Sequence, residues 1–209
     1  MHEVKLADLT ERYAFCDPAS GRTVLKHAKA RSAIVVLAVD DLSRLFVLHA
    51  WATRCPTDRL IDEILKLAEQ YRPRLFGIEA NAMQVLFADA VMREARYRGK
   101  TLPLTAIMQP TKIDKNWRIR TALQPVIAEG RLFVQPTQHE LKHELTSFPM
   151  SPLKDLVDAL ASAVTLVPPR TTRVQRDDER EALADYLRRS GMPPAHIEAR
   201  LQELAHAEQ

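Results

Sequence analysis

The chain has 209 residues, 46% hydrophobic and 27% charged, with 30 basic against 27 acidic side chains, a net charge of +3 and a pI near 8.9. That length suits one domain of roughly 100 to 200 residues with an appendage, and the charge balance tilts weakly toward an anionic partner. No stretch approaches the ~20 apolar residues of a membrane span, the start lacks a signal peptide's apolar core, and Cys16 and Cys55 make neither a zinc site nor a disulfide framework. A cytoplasmic protein with free thiols is expected.

Tyr13-Ala-Phe-Cys-Asp17 is a short apolar run that carries a carboxylate to its end, and Pro18 removes the next backbone donor, so a strand stops there. Lys26, His27, Lys29 and Arg31 follow, ahead of Ser32 to Val39, an apolar run of strand length. A turn signal from Asp40 to Ser43 leads into Arg44 to Trp51, and the short connections predict an antiparallel meander of these first three strands. From Thr57, placed as an N-cap, Leu60, Ile61, Ile64, Leu65, Ala68 and Tyr71 recur at helical spacing until Pro73.

Arg74 to Glu79 reads as a buried fourth strand that again ends on a carboxylate. Asn81 is placed as the cap of a helix with Met83, Leu86, Phe87, Ala90 and Val91 inward and Gly99 at its end. Leu104 to Met108 is the fifth strand, and the alternation of strands and helices here predicts a parallel arrangement with helices on the faces. A helix interrupted by Pro125 spans Lys112 to Glu129, Gly130 ends it, and Arg131 to Val134 is a short edge element. A charged helix from Thr137 to Leu145 stops at Phe148-Pro149, and the last helix of the domain, Lys154 to Val167, turns Leu156, Val157, Leu160, Ala161 and Val164 inward. Residues 1–169 are thus expected as an α/β domain, and 170–209 as a polar linker to Arg176 followed by two short amphipathic helices that need a surface to pack on.

Asp17 and Glu79 each end a strand, so neighbouring strands would converge their carboxylates, and Asp155 and Asp158, three apart on one helix, face the same way. Two carboxylates ~4 Å apart repel by a few kcal/mol at an effective dielectric of ~20, which a divalent cation relieves; oxygen-only ligands favour magnesium or manganese over zinc. Lys112, Lys115, Arg118 and Arg120 follow the fifth strand as candidate phosphate contacts, with Lys26, Lys29 and Arg31 as a second basic patch. Trp117, among the first group, sits at the spacing of a core aromatic, with packing on sugar or base as the other reading. His139 and His143 lie at i and i+4, but without a third ligand they are expected on a solvated helix face. The five glycines form no phosphate-cradling Gly-x-x-x-x-Gly-Lys-Ser/Thr loop, so this chain is not expected to bind a nucleotide in that way.

The ordered set Asp17-Pro-Ala-Ser-Gly21, Gly77-Ile-Glu-Ala-Asn-Ala-Met-Gln84, Lys112 to Ile119, Gly130, Phe148-Pro149 and Lys154-Asp-Leu-Val-Asp-Ala159 resembles the C-terminal nuclease domain of phage large terminases, from about Tyr13 to Val167. The resemblance implies an RNase H-like fold, a mixed five-stranded sheet flanked by helices, and endonucleolytic cutting of concatemeric double-stranded DNA during genome packaging with two Mg2+ or Mn2+ ions. It implies Asp17, Glu79 and Asp155 as the catalytic acids, with Asp158 as a further metal ligand, and a packaging ATPase, portal or small terminase subunit as partners in the host cytoplasm. Where many members carry His-Asp-Asp, this chain reads Leu153-Lys154-Asp155, which leaves Asp155 and Asp158 as alternative third ligands. Another RNase H-like nuclease, such as a Holliday-junction resolvase or transposase-type domain, and a non-catalytic DNA-binding or assembly module are the competing readings.

Overall fold

The computed structural model describes residues 9, 11–19, 31–80, 84–109, 113–168, 173–190 and 192–207. They divide into two units, Met1–Pro168 and Pro169–Gln209, taken in turn. The first is built on β1 (Glu11–Asp17), β2 (Ser32–Val39), β3 (Leu45–Thr53), α1 (Thr57–Tyr71), β4 (Leu75–Glu79), α2 (Gln84–Tyr97), β5 (Leu104–Ile107), α3 (Lys115–Ala128), β6 (Leu132–Val134), α4 (His139–Ser147) and α5 (Asp155–Thr165).

The strands form one sheet in the order β5-β4-β1-β2-β3-β6. β1, β2 and β3 pair antiparallel, while β4 joins β1, β5 joins β4 and β6 joins β3 in parallel. The sheet has six strands rather than the expected five because the short Leu132–Val134 element completes a ladder with Leu45 to Val47. Side-chain alternation on the central strands divides the core in two. Ala14, Cys16, Ile34 and Val36 face α1 and α2, whereas Tyr13, Phe15, Val35 and Leu37 face α3, α4 and α5. On that second face Gly77 of β4 lies so close to Phe15 that an added Cβ would sit 2.7 Å from the ring and 2.9 Å from Leu166.

Several local expectations shift. Pro56, not Thr57, occupies the N-cap of α1 and contributes no side-chain hydrogen bond, since its extended backbone sets the turn into the helix. Asp114 caps α3 by accepting the Trp117 amide at 2.9 Å, and Pro125 is accommodated inside that helix. Gly99 and Gly130 take a left-handed φ of 64° at the ends of α2 and α3. Asn81 and Met83 lie outside the described residues. In the second unit, α6 (Arg173–Arg189) already includes Arg173 to Arg176, where a linker is expected from the sequence, and α7 (Pro194–Ala207) packs against it, with Ala184 and Ile197 buried. Among the described residues no helix is long and apolar enough to cross a membrane.

Replacing Gly77 by valine is expected to lower unfolding free energy by about 1–3 kcal/mol or more, the range for over-packed cores, because Phe15 is fully buried and cannot withdraw. Urea denaturation followed by circular dichroism checks this; an unchanged midpoint would contradict the close approach.

Candidate metal centre

The site grows out of the parallel pairing of β1 with β4. Their last paired residues are Cys16 and Ile78, so Asp17 and Glu79 follow side by side, both projecting on the α5 face with Phe15 and Gly77. α5 crosses that face and delivers Asp158, which is 2% exposed, from its first turn. One oxygen from each of Asp17, Glu79 and Asp158 lies within 4.8 Å of the other two. Cys16 points to the opposite face, fully buried, and its thiol is pushed up by burial and then by the Asp17 charge.

The electrostatics are those of a crowded carboxylate cluster. Burial pushes the Asp17 carboxyl well above its ordinary range, and repulsion from Glu79 and Asp158 adds to the effect. Glu79 is raised by burial and by Asp158, with Arg118 opposing. A hydrogen bond between the two acids adds to the rise at Asp17 and pulls Glu79 down. Asp158 is neutralised differently: Lys115 Nζ lies 2.8 Å from one oxygen and Arg118 Nη2 donates to the other at 2.7 Å. Burial pulls Lys115 down, but the Asp158 carboxylate outweighs it and the ammonium is held above its usual value. Two side-chain cations thus offset Asp158, while Asp17 and Glu79 remain crowded against each other. Three carboxylate oxygens gathered this closely fit a divalent cation.

The other residues singled out in the sequence fall in different places. Asp155, one turn before Asp158, accepts Arg31 Nε at 3.0 Å. Arg31, expected on a DNA-facing patch, is 11% exposed and also pairs with Glu140 and, at 2.6 Å, with Glu144; three carboxylates take up its charge, so it is not free for a phosphate. Lys26, Lys29 and Lys112 lie outside the described residues. Arg120 is exposed and, two residues from Arg118, emerges on a separate face of α3 beside an apolar groove that includes Leu123, Leu145 and Phe148. Trp117, expected in the core, is 58% exposed: α3 buries Ile119, Leu123 and Val126, and a side chain two positions before Ile119 lies about 200° around the helix. His139 and His143 are exposed on α4.

Glu144 was not singled out by sequence reasoning. It is 1% exposed, and its Oε2 accepts the amides of Leu156 at 2.9 Å and Val157 at 3.1 Å in the first turn of α5. Its carboxyl is raised by burial, against the pull of the Val157 amide and of Arg31. The one available signal is its place three residues after the core leucine Leu141, on the inward stripe of an otherwise charged helix. Lys154, at the N-cap of α5, makes no capping bond and instead donates to Asn116 Oδ1 at 3.0 Å, tying the start of α5 to α3.

No protein-family model and no curated protein sequence matches the chain. Solved structures do. The large terminase nuclease of thermophilic phage G20c, solved with bound zinc, has a TM-score of 0.52 at 17% identity over 75% of this chain and 82% of that one. The large terminase of another thermophilic bacteriophage gives 0.52 at 9% identity over 77% of this chain and 40% of the larger protein. RuvC of Thermus thermophilus with a Holliday junction substrate stands at 0.43 and 17% identity, covering 74% and 91%. In architecture the chain is RNase H-like, and in fold it resembles the nuclease domains of phage large terminases.

Proposed function

We propose that this protein is a divalent-metal-dependent nuclease that hydrolyses the DNA backbone, and that its substrate is concatemeric double-stranded phage DNA cut during genome packaging. The observation that carries this reading is the gathering of Asp17, Glu79 and Asp158 oxygens within 4.8 Å, on two adjacent strand ends and one helix. In this reading Asp17, Glu79 and Asp158 are the ligands of Mg2+ or Mn2+, with Asp155 held one turn away by Arg31 as the reserve acid for a second ion. Bound there, the cations would supply the charge that acidifies an attacking water and stabilises the leaving 3′ oxygen. Lys115 and Arg118 neutralise Asp158 until a cation takes over, and are then free to clamp a phosphate beside the acids. The Arg118 Nε is already buried without a hydrogen-bond partner among the described residues, a donor suited to that role.

A separate packaging ATPase, a portal and a small terminase subunit are the proposed partners, with α6 and α7 as the segment they would engage, in the host cytoplasm. The resolvase reading has one observation in its favour: the exposed Trp117 on α3 suits an unpaired base at a branch point as well as the sugar of a duplex.

Nicking of supercoiled plasmid with Mn2+ is expected, with Asp17→Asn and Asp158→Asn each reducing it by more than the ~10–100-fold typical of losing a group behind the ligands, and Asp155→Asn by less. A protein that binds duplex and never nicks would instead be an assembly module. On gels, linear duplex is expected to be cut at least as fast as a four-way junction, and the opposite order would favour the resolvase. Metal binding should also strengthen with pH. Asp17 and Glu79 titrate above their unfolded values, so in the metal-free protein the stability they contribute is complete at low pH and falls as pH rises from the ordinary carboxylate range through their raised values. A cation must displace protons from these acids, so calorimetry in buffers of different ionisation enthalpy should show proton release on Mn2+ binding, and the Mn2+-induced rise in melting temperature should be larger at high pH than at low.

A further inference from the structure

A helix that presents a metal ligand from its first turn needs that turn held, because the first amides of a helix have no partner within it. α5 has this problem acutely. Lys154 at its N-cap offers no capping acceptor, and the backbone bond that fixes Asp158, its amide to the Lys154 carbonyl at 3.0 Å, is among the first of the helix. The acceptor comes from another helix: Glu144 of α4 reaches in with one oxygen to the amides of Leu156 and Val157, the two residues immediately before Asp158. Its other oxygen holds Arg31 at 2.6 Å, and Arg31 holds Asp155 at 3.0 Å. Arg31 directly precedes β2, whose Ala33 pairs with Asp17.

We propose that Glu144 is a positioning residue for the metal centre: by capping α5 from α4 it fixes the turn that carries Asp158, and through Arg31 it sets where Asp155 rests. This rests on the nuclease reading above. Glu144 touches neither cation nor DNA; it acts through the backbone of the helix that supplies the ligand. A carboxylate at a helix N-terminus also complements the helix dipole, so this one group serves both the amides and the electrostatics of α5. The arrangement predicts that metal affinity, rather than DNA affinity, is what Glu144 controls.

The test is Mn2+ titration of the purified full chain by calorimetry without DNA, on variants whose folding is confirmed by circular dichroism, together with the kcat and KM of plasmid nicking. Glu144→Ala is expected to weaken Mn2+ binding by roughly 10–100-fold and to lower kcat with KM for DNA little changed, the scale for groups that orient metal ligands. Glu144→Gln, whose amide oxygen still accepts both N–H groups, should recover most of the binding. If the alanine variant does not fold, Glu144→Asp decides: a carboxylate one methylene shorter, drawn back from the amides, should bind Mn2+ more weakly. Wild-type Mn2+ affinity in a folded alanine or aspartate variant overturns the positioning role while leaving the nuclease reading intact. Absence of Mn2+ binding by the wild-type protein overturns the nuclease reading itself.

Discussion

The constraint on which the site depends is the repulsion among three acids that the fold forces together. Carboxylates within 4.8 Å of one another do not gather on their own account. They are brought there by the parallel pairing of β1 with β4 and by the apolar burial of α5 through Leu156, Val157 and Leu160. Burial of the two large clusters on either side of the sheet is the term large enough to impose this proximity. The strain then appears where it is useful, as carboxyls that hold protons too tightly and as cations drawn onto Asp158.

The same constraint explains the unequal roles of the basic residues. Positive charge is attracted to the cluster in proportion to proximity, and α3 is rotated so that Lys115 and Arg118, one turn apart, meet Asp158 while Arg120 turns away. Arg31 is drawn into a separate acidic set built by α4 and the start of α5. Two cation-acid networks thus flank one helix turn, one on Asp158 and one on Asp155.

Much of this was legible in the sequence because it rests on periodicity. The alternation of β1 and β2, the runs ending at Asp17 and Glu79, and the inward stripe of α5 are all short-range patterns, and the sheet they imply is the one observed, with Leu132–Val134 added as a sixth strand. Other features depended on geometry that a linear pattern does not encode. Asp155 and Asp158 share a helix face, so spacing alone left both in play; in the folded chain Asp158 comes within 4.8 Å of Asp17 and Glu79 while Asp155 meets Arg31. Trp117 has the composition of a core residue, but the phase of α3 is set by Ile119, Leu123 and Val126, which leaves it outside. Glu144 was hard to single out for a related reason: on a helix of charged residues, its place three residues after Leu141 is a faint signal until its amide partners on α5 are known.

The departure at Leu153-Lys154 gains a physical meaning in this setting. A residue with a short polar side chain at position 154 could cap α5 locally. Lysine cannot; its ammonium goes to Asn116, next to Lys115, and the amides of the first turn are left to Glu144. The start of α5 is therefore pinned from two sides, by α3 through Lys154 and by α4 through Glu144. Two anchors on separate helices fix both the tilt and the rotation of a turn, whereas a local cap satisfies its amides without fixing the helix against its neighbours. An acid such as Asp158, which meets two others carried by the sheet, needs the stronger constraint.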